Sequence, residues 1–246
     1  MTMSLNRARC VPACENSLLS KIPLQIKARY PSTREALVAR ENLDGGSVAR
    51  GLLIVFEGLD GCGKSTQLGL LADLLVARQR EVVRTKEPTD GPIGQRIRAM
   101  AQSNDRVTPE EELAWFMEDR AEHVREVIEP GIAAGAVVLS DRYWLSTVAY
   151  QGARGLDAAA IMQANEEQFP DPDIALIFEV SAAQGLERVN ARGGVAEPAF
   201  EEVNFLTRAK QVFDGIARPY VARVDATGTP EEIHTRVVEL VEPLLG

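Results

Sequence analysis

The sequence predicts an α/β protein built in three layers, with a five-stranded parallel sheet flanked on both faces by helices. Three observations predict it. Short apolar runs of strand length alternate with longer helical stretches from residue 52 to the carboxyl end, and such alternation builds parallel sheets because each crossover lays a helix on a face. The first run, Leu52-Leu53-Ile54-Val55-Phe56, is apolar at every position, as a strand covered on both faces must be. A glycine-rich turn joins that run to a helix, and right-handed crossovers leave few topologies open.

The elements follow in order. After the strand at 52–56 comes a helical stretch with Leu68, Leu71, Leu74 and Leu75 on one face. A second strand is expected at 81–85, and a long helical region at about 109–134. Further strands are expected at 136–140, 174–180 and 222–225, with helical segments between them. An amphipathic helix at 229–244 closes the chain. The first 49 residues fit none of this. Before residue 41 they carry Arg7, Arg9, Lys21, Lys27, Arg29, Arg34 and Arg40 against Glu15 and Glu35, with prolines at 12, 23 and 31 and no sustained period. Three readings stay open for this extension: a disordered basic tail, a stretch upstream of a true start near Val48, or a transit peptide poor in acids. The folded domain is expected at 50–246.

Composition narrows the function classes. Of 246 residues, 45% are hydrophobic and 26% charged, an ordinary globular balance, and the net charge of -9 does not invite nucleic acid or an anionic membrane surface. No apolar run approaches the roughly 20 residues of a membrane span. Cys10, Cys14 and Cys62, with only His123 and His234 beside them, form neither a disulfide framework nor a zinc spacing. A soluble, reducing, cytoplasmic setting is the expectation.

The chemistry begins at Gly58-Leu59-Asp60-Gly61-Cys62-Gly63-Lys64-Ser65, which fits G-x-x-x-x-G-K-[ST] and lies between a strand and a helix. Its glycines let several backbone N–H groups converge on phosphates, and the helix start adds partial positive charge. Lys64 would reach the β- and γ-phosphates, Ser65 would ligate Mg²⁺, and Thr66 follows in the same turn. At glycine usage of about 7%, such a match arises by chance in roughly one chain in a hundred, and the strand–helix placement lowers that further. The fold is therefore of the P-loop NTPase type, with ATP as the expected nucleotide. Cys62 sits among these amides. It reads either as a small side chain without a chemical role or as a thiol activated by the helix N-terminus.

No Asn-Lys-x-Asp base-reading motif of a switch GTPase is present, and a motor ATPase would need a larger chain. Instead Phe56-Glu57-Gly58-Leu59-Asp60-Gly61, Glu87-Pro88, Asp141-Arg142-Tyr143 and Ala149-Tyr150-Gln151-Gly152 together resemble the ordered motif series of thymidylate kinases over essentially all of residues 51–246. The resemblance implies transfer of the γ-phosphoryl group of ATP to dTMP, giving dTDP and ADP on the route to dTTP, by a homodimer. It makes Arg142 the clamp on the transferring phosphates, for which a guanidinium suits because it can hold two oxygens at once. Asp141 would orient Mg²⁺. Phe116 would stack on thymine, and Arg120, one helical turn on, would hydrogen-bond its edge. Thr147 would face that edge, with Gln151 assisting, and Tyr150 would exclude a ribose 2′-hydroxyl. Asp60 would accept from the 3′-hydroxyl. Glu87 and Pro88 would shape the acceptor pocket, and His123 is expected to be structural or exposed.

The sequence departs from the family pattern in two places. Lys86 stands where many members have arginine, and can pair with the dTMP phosphate only as a point charge. The lid, at about 188–200, keeps Arg188 and Arg192 but lacks the arginine often found before its Phe-Glu pair, so Arg192 is the expected lid cation. Two other functions stay open at this point: a kinase for another pyrimidine monophosphate, and a nucleotide-binding regulator that has lost catalysis.

Overall fold

The computed structural model describes residues 50–103, 107–191 and 200–246, without the side chains of 200–202. The extension at 1–49 and the expected lid cation Arg192 lie outside the described residues. The order is β1 (Leu52–Gly58), α1 (Lys64–Ala77), β2 (Val82–Lys86), α2 (Pro92–Gln102), α3 (Pro109–His123), a π-helical turn (Val124–Ile128), α4 (Glu129–Ala133) and β3 (Val137–Asp141). Then follow α5 (Trp144–Ala153), α6 (Ala158–Gln168), β4 (Ile174–Glu179), α7 (Ala182–Ala191), α8 (Phe200–Gly215), β5 (Val221–Asp225) and α9 (Pro230–Leu245). The five expected strands are all present, shifted by at most two residues at an end. The long helical region is real but broken in the middle by the π-helical turn. The helix α2 was not anticipated.

All strand pairs are parallel, in the order β2-β3-β1-β4-β5. Side chains alternate across a strand, so β1 sends Leu53 and Val55 to one face and Ile54 and Phe56 to the other. The first pair joins a cluster with Leu113, Met117, Val148 and Phe213 from α3, α5 and α8. The second joins Leu68, Leu71 and Leu75 of α1 and Val237 and Val241 of α9. That two-sided burial explains the unbroken apolar run. The outer strands β2 and β5 are covered less completely.

Helix starts carry local signals. Thr229 accepts from Glu232 N while the Glu232 side chain accepts from Thr229 N, a capping box. Thr108 and Asp157 cap α3 and α6. The start of α1 differs: Gly63 is left-handed, at φ 103°, and offers no side-chain cap. Its N–H groups at the carboxyl edge of β1 are thereby left for a ligand.

Candidate active site

The phosphate loop closes tightly on its neighbours. A Cβ placed on Gly61 would lie 2.0 Å from Gly185 O, and one on Gly185 would lie 2.6 Å from Asp60 O. Paired glycines therefore let the first turns of α7 rest directly on the loop. Lys64 is buried, and its ammonium donates to Gly58 O at 3.1 Å and Leu59 O at 2.8 Å. Cys62 is fully buried in the α1-side core, with its sulfur 3.6 Å from Lys64 Nζ. An inaccessible thiol favours the plain reading of that residue. Ser65 donates its hydroxyl to Asp141 Oδ2, so the two expected metal ligands meet at the mouth of the loop, with Thr66 exposed beside them.

Arg142 follows directly on β3 with φ 72°, a left-handed conformation that is costly for a side-chain-bearing residue. Three backbone-directed bonds hold the turn: Arg142 N donates to Phe56 O at 2.9 Å, Ser140 Oγ to Arg142 O at 2.7 Å, and Tyr143 N to Glu57 Oε1 at 2.9 Å. The guanidinium donates to Asp60 Oδ1 at 2.5 Å, Ser146 Oγ at 2.8 Å and Gly58 O at 3.2 Å, and lies 5.2 Å from the Tyr150 ring centre. Tyr150 OH reaches Asp60 Oδ2 at 3.3 Å. The Arg142 charge beside it holds the Asp60 carboxyl below the usual carboxylate range, and Lys64 adds to it.

A second constellation lies along α3. Glu87, joined to Pro88 by a cis peptide, accepts from Arg120 Nε at 3.0 Å and Nη2 at 2.6 Å, and its other oxygen meets His123 Nδ1 at 3.0 Å. Arg120 also donates to Thr147 Oγ1 and Asn165 Oδ1, both at 2.8 Å. His123 Nε2 meets Thr85 Oγ1 at 2.7 Å. Burial works to raise the Glu87 carboxyl, but the Arg120 charge and His123 outweigh it and hold the group below its usual range. Phe116 is partly exposed and packs against Ile97, Met100 and Trp115. Gln151 is buried, and its Oε1 has no hydrogen-bond partner among the described residues.

Beyond β2 the loop is pinned by Asp119, which accepts from Thr89 N and Oγ1 at 2.9 and 2.6 Å. Lys86 is exposed and pairs with Asp90 at 3.0 Å. A cleft of about 610 Å³ runs from Ser65 and Asp141 to this loop and to His123. Arg188, which the sequence reading placed in the expected lid, donates to Ala226 O at 3.0 Å.

The expected residues thus fall into two groups. Lys64, Ser65, Asp141, Asp60, Arg142 and Tyr150 converge at the phosphate loop, while Glu87, Arg120 and Thr147 form the buried network. Phe116 and Arg120 lie one turn apart on α3, the first packed on an apolar cluster and the second bonded in the network. His123 is buried and bonded. Sequence reasoning assigned no role to Glu57, Ser146, Asn165 or Arg98, whose guanidinium donates to Pro88 O at 2.8 Å. Glu57 had a signal, since it is a carboxylate at the end of an apolar strand. Asn165 had none.

Comparison with known proteins identifies the family. The profile of the family described as "Thymidylate kinase" matches residues 56–237. A "Thymidylate kinase" of Akkermansia muciniphila is 45% identical over 188 residues, covering 76% of this chain and 90% of the relative. One from Desulfotalea psychrophila is 40% identical over 195 residues, covering 79% and 96%. A "Probable thymidylate kinase" of Archaeoglobus fulgidus is 38% identical over 195 residues, covering 79% and 97%. With the family profile matching most of the folded region and relatives aligned nearly end to end, the chain belongs to the thymidylate kinase family.

Proposed function

We infer that the chain is a dTMP kinase, which transfers the γ-phosphoryl group of ATP to dTMP and yields dTDP and ADP. The observation that carries this reading is the Arg142 guanidinium, which bridges Gly58 O and Asp60 of the phosphate loop and Tyr150 beside it. A cation so placed can neutralise donor and acceptor phosphates together.

Transfer is direct and in line. The acceptor is already an anion, so no strong base is needed. The barrier lies in bringing two polyanions together, which Lys64, Arg142 and the loop amides lower by neutralising charge and aligning oxygens. On ATP binding, the Lys64 ammonium exchanges its two loop carbonyls for phosphate oxygens. Arg142 exchanges Asp60 for the acceptor phosphate, and the freed Asp60 accepts from the sugar 3′-hydroxyl. Lys86 adds a point charge, and Glu87 with Pro88 borders the acceptor phosphate. Arg120, Thr147 and Gln151 read the pyrimidine edge, Phe116 stacks on the ring, and Tyr150 selects deoxyribose. Arg192 serves as the lid cation. The Ser65 hydroxyl and Asp141 carboxylate, already in contact, form a small all-oxygen donor set suited to Mg²⁺, which keeps most of its shell for water and phosphate. Bound there, Mg²⁺ would supply charge neutralisation between the β- and γ-phosphates.

Among the described residues, no helix is long and apolar enough to cross a membrane. The family reading adds a cytoplasmic homodimer, acting on dTMP and ATP rather than on nucleic acid or membrane. Light scattering checks the dimer by returning twice the chain mass. ADP release with dTMP, dUMP and UMP tests the activity. The expected order is dTMP first, dUMP weaker and UMP least. Equal turnover of UMP would indicate a broader pyrimidine kinase, and no dTMP-stimulated release would indicate a regulator.

A further inference from the structure

Glu57 is fully buried, and the reaction as drawn above makes no use of it. Strand alternation puts it on the face of β1 that carries Leu53 and Val55, at the last position before the phosphate loop. A carboxylate there is costly unless its lone pairs are used. They are used by the start of α5. Tyr143, the N-cap residue, provides no side-chain cap, and Glu57 Oε1 takes the N–H groups of Tyr143 and Ser146 at 2.9 and 3.2 Å. The helix is thus capped by a carboxylate from another element. Glu57 Oε2 accepts the Ser146 hydroxyl at 2.5 Å.

That last bond sets the direction of the next. With its proton directed to Glu57, Ser146 Oγ can only accept from Arg142, and Arg142 Nη1 donates to it at 2.8 Å. The same nitrogen donates to Gly58 O, the residue after Glu57. Arg142 is therefore registered to β1 from two sides. We propose that Glu57 is a positioning residue for phosphoryl transfer, holding Ser146 and through it the Arg142 guanidinium in line with the phosphate loop. Burial pushes the Glu57 carboxyl up to about 7, opposed by the Ser146 hydroxyl and the Arg142 charge, as befits a group without a directly bonded cation.

The isosteric variant Glu57→Gln isolates this role. An amide must turn an N–H₂ toward either the Ser146 hydroxyl or the two backbone N–H groups. In the first case the Ser146 proton is driven toward Arg142, and the guanidinium is displaced. The proposal rests on the dTMP kinase reading, and the two fail differently: a wild-type chain without dTMP-stimulated ADP release sinks that reading, and this proposal with it, before any variant is compared. With wild-type turnover in hand, the full chain is assayed as Glu57→Gln, Ser146→Ala and the double variant, per folded molecule. Since small misplacements can cost on the order of 100-fold, each single variant is expected to lower kcat by roughly 10- to 100-fold with the KM for ATP unchanged. The double variant should lose no more than the worse single one, as for groups acting in series. A Glu57→Gln protein with wild-type kcat, or fully additive losses, would overturn the proposal. If Glu57→Gln does not fold, Ser146→Ala and Ser146→Thr decide. The threonine hydroxyl should restore most of the kcat that alanine removes, and equal kcat in the two variants would overturn the proposal.

Discussion

Two buried glutamates organise the two ends of the site, and they do so in opposite ways. Glu87 touches a cation directly: Arg120 donates to it twice, His123 Nδ1 adds a further hydrogen bond, and the carboxyl is held low despite burial. Glu57 reaches Arg142 only through the Ser146 hydroxyl, and burial wins. The arginines differ to match. The Arg120 side chain is 1% exposed and bonded to Glu87, Thr147 and Asn165. The Arg142 side chain is 17% exposed, and its ion-pair partner Asp60 is 60% exposed. One cation is a fixed platform, while the other rests on partners that phosphate can replace. Helix α5 serves both, with Ser146 turned to Arg142 and Thr147 to Arg120.

This comparison can be broken by separating activity from stability. Arg142→Ala is expected to lower kcat about 1,000-fold or more, with thermal unfolding near that of the wild type. Turnover within tenfold of wild type would remove Arg142 from the transfer step. Glu87→Ala should behave in reverse. It strands the buried Arg120 charge, so denaturant unfolding should show a loss of about 3–5 kcal/mol. A loss below about 1 kcal/mol would mean that the network relaxes easily.

The pH dependence sharpens the same contrast through opposite signs. Glu57 is raised in the folded protein, from 4.5 to about 7, so the folded state holds the extra proton between those values. Its contribution to stability is full below 4.5 and is lost as pH rises to about 7. Glu87 is lowered from 4.5, so its contribution is present above 4.5 and is lost as pH falls through the folded value. Unfolding free energies measured from pH 3 to 8 should therefore show Glu57→Gln gaining on wild type as pH rises, and Glu87→Gln gaining as pH falls. Parallel profiles would contradict the assignment. The smallest effect is expected from Tyr150→Phe. It removes two long bonds, one donated to Asp60 and one accepted from Arg142, and keeps the ring, for a loss in kcat/KM of about tenfold or less.

Much of the phosphate end was legible in the sequence because its parts are short-range. Eight residues carry the chain from Gly58 to Ser65, and Asp141-Arg142 comes at the end of a strand whose apolar run is visible. The buried network along α3 was harder to read. Arg120 reads as a solvated arginine on its own helix, and becomes buried only because Glu87 and Asn165 arrive from 33 and 45 residues away. The cap that Glu57 places on α5 is also a tertiary contact, across 86 residues. Helix α2 escaped notice because Ile93, Ile97 and Met100 make only a short stripe, completed by Trp115 of α3. β2 was read one residue early, since a half-covered edge strand has a weak apolar period.

The most direct test of the exchangeable and fixed cations is a crystal structure with dTMP and a non-hydrolysable ATP analogue bound together. Arg142 should leave Asp60 for the acceptor phosphate, while Arg120 keeps Glu87 and thymine lies by Phe116. If Arg142 stays on Asp60 with both nucleotides seated, or if Arg120 gives up Glu87 instead, the account is contradicted.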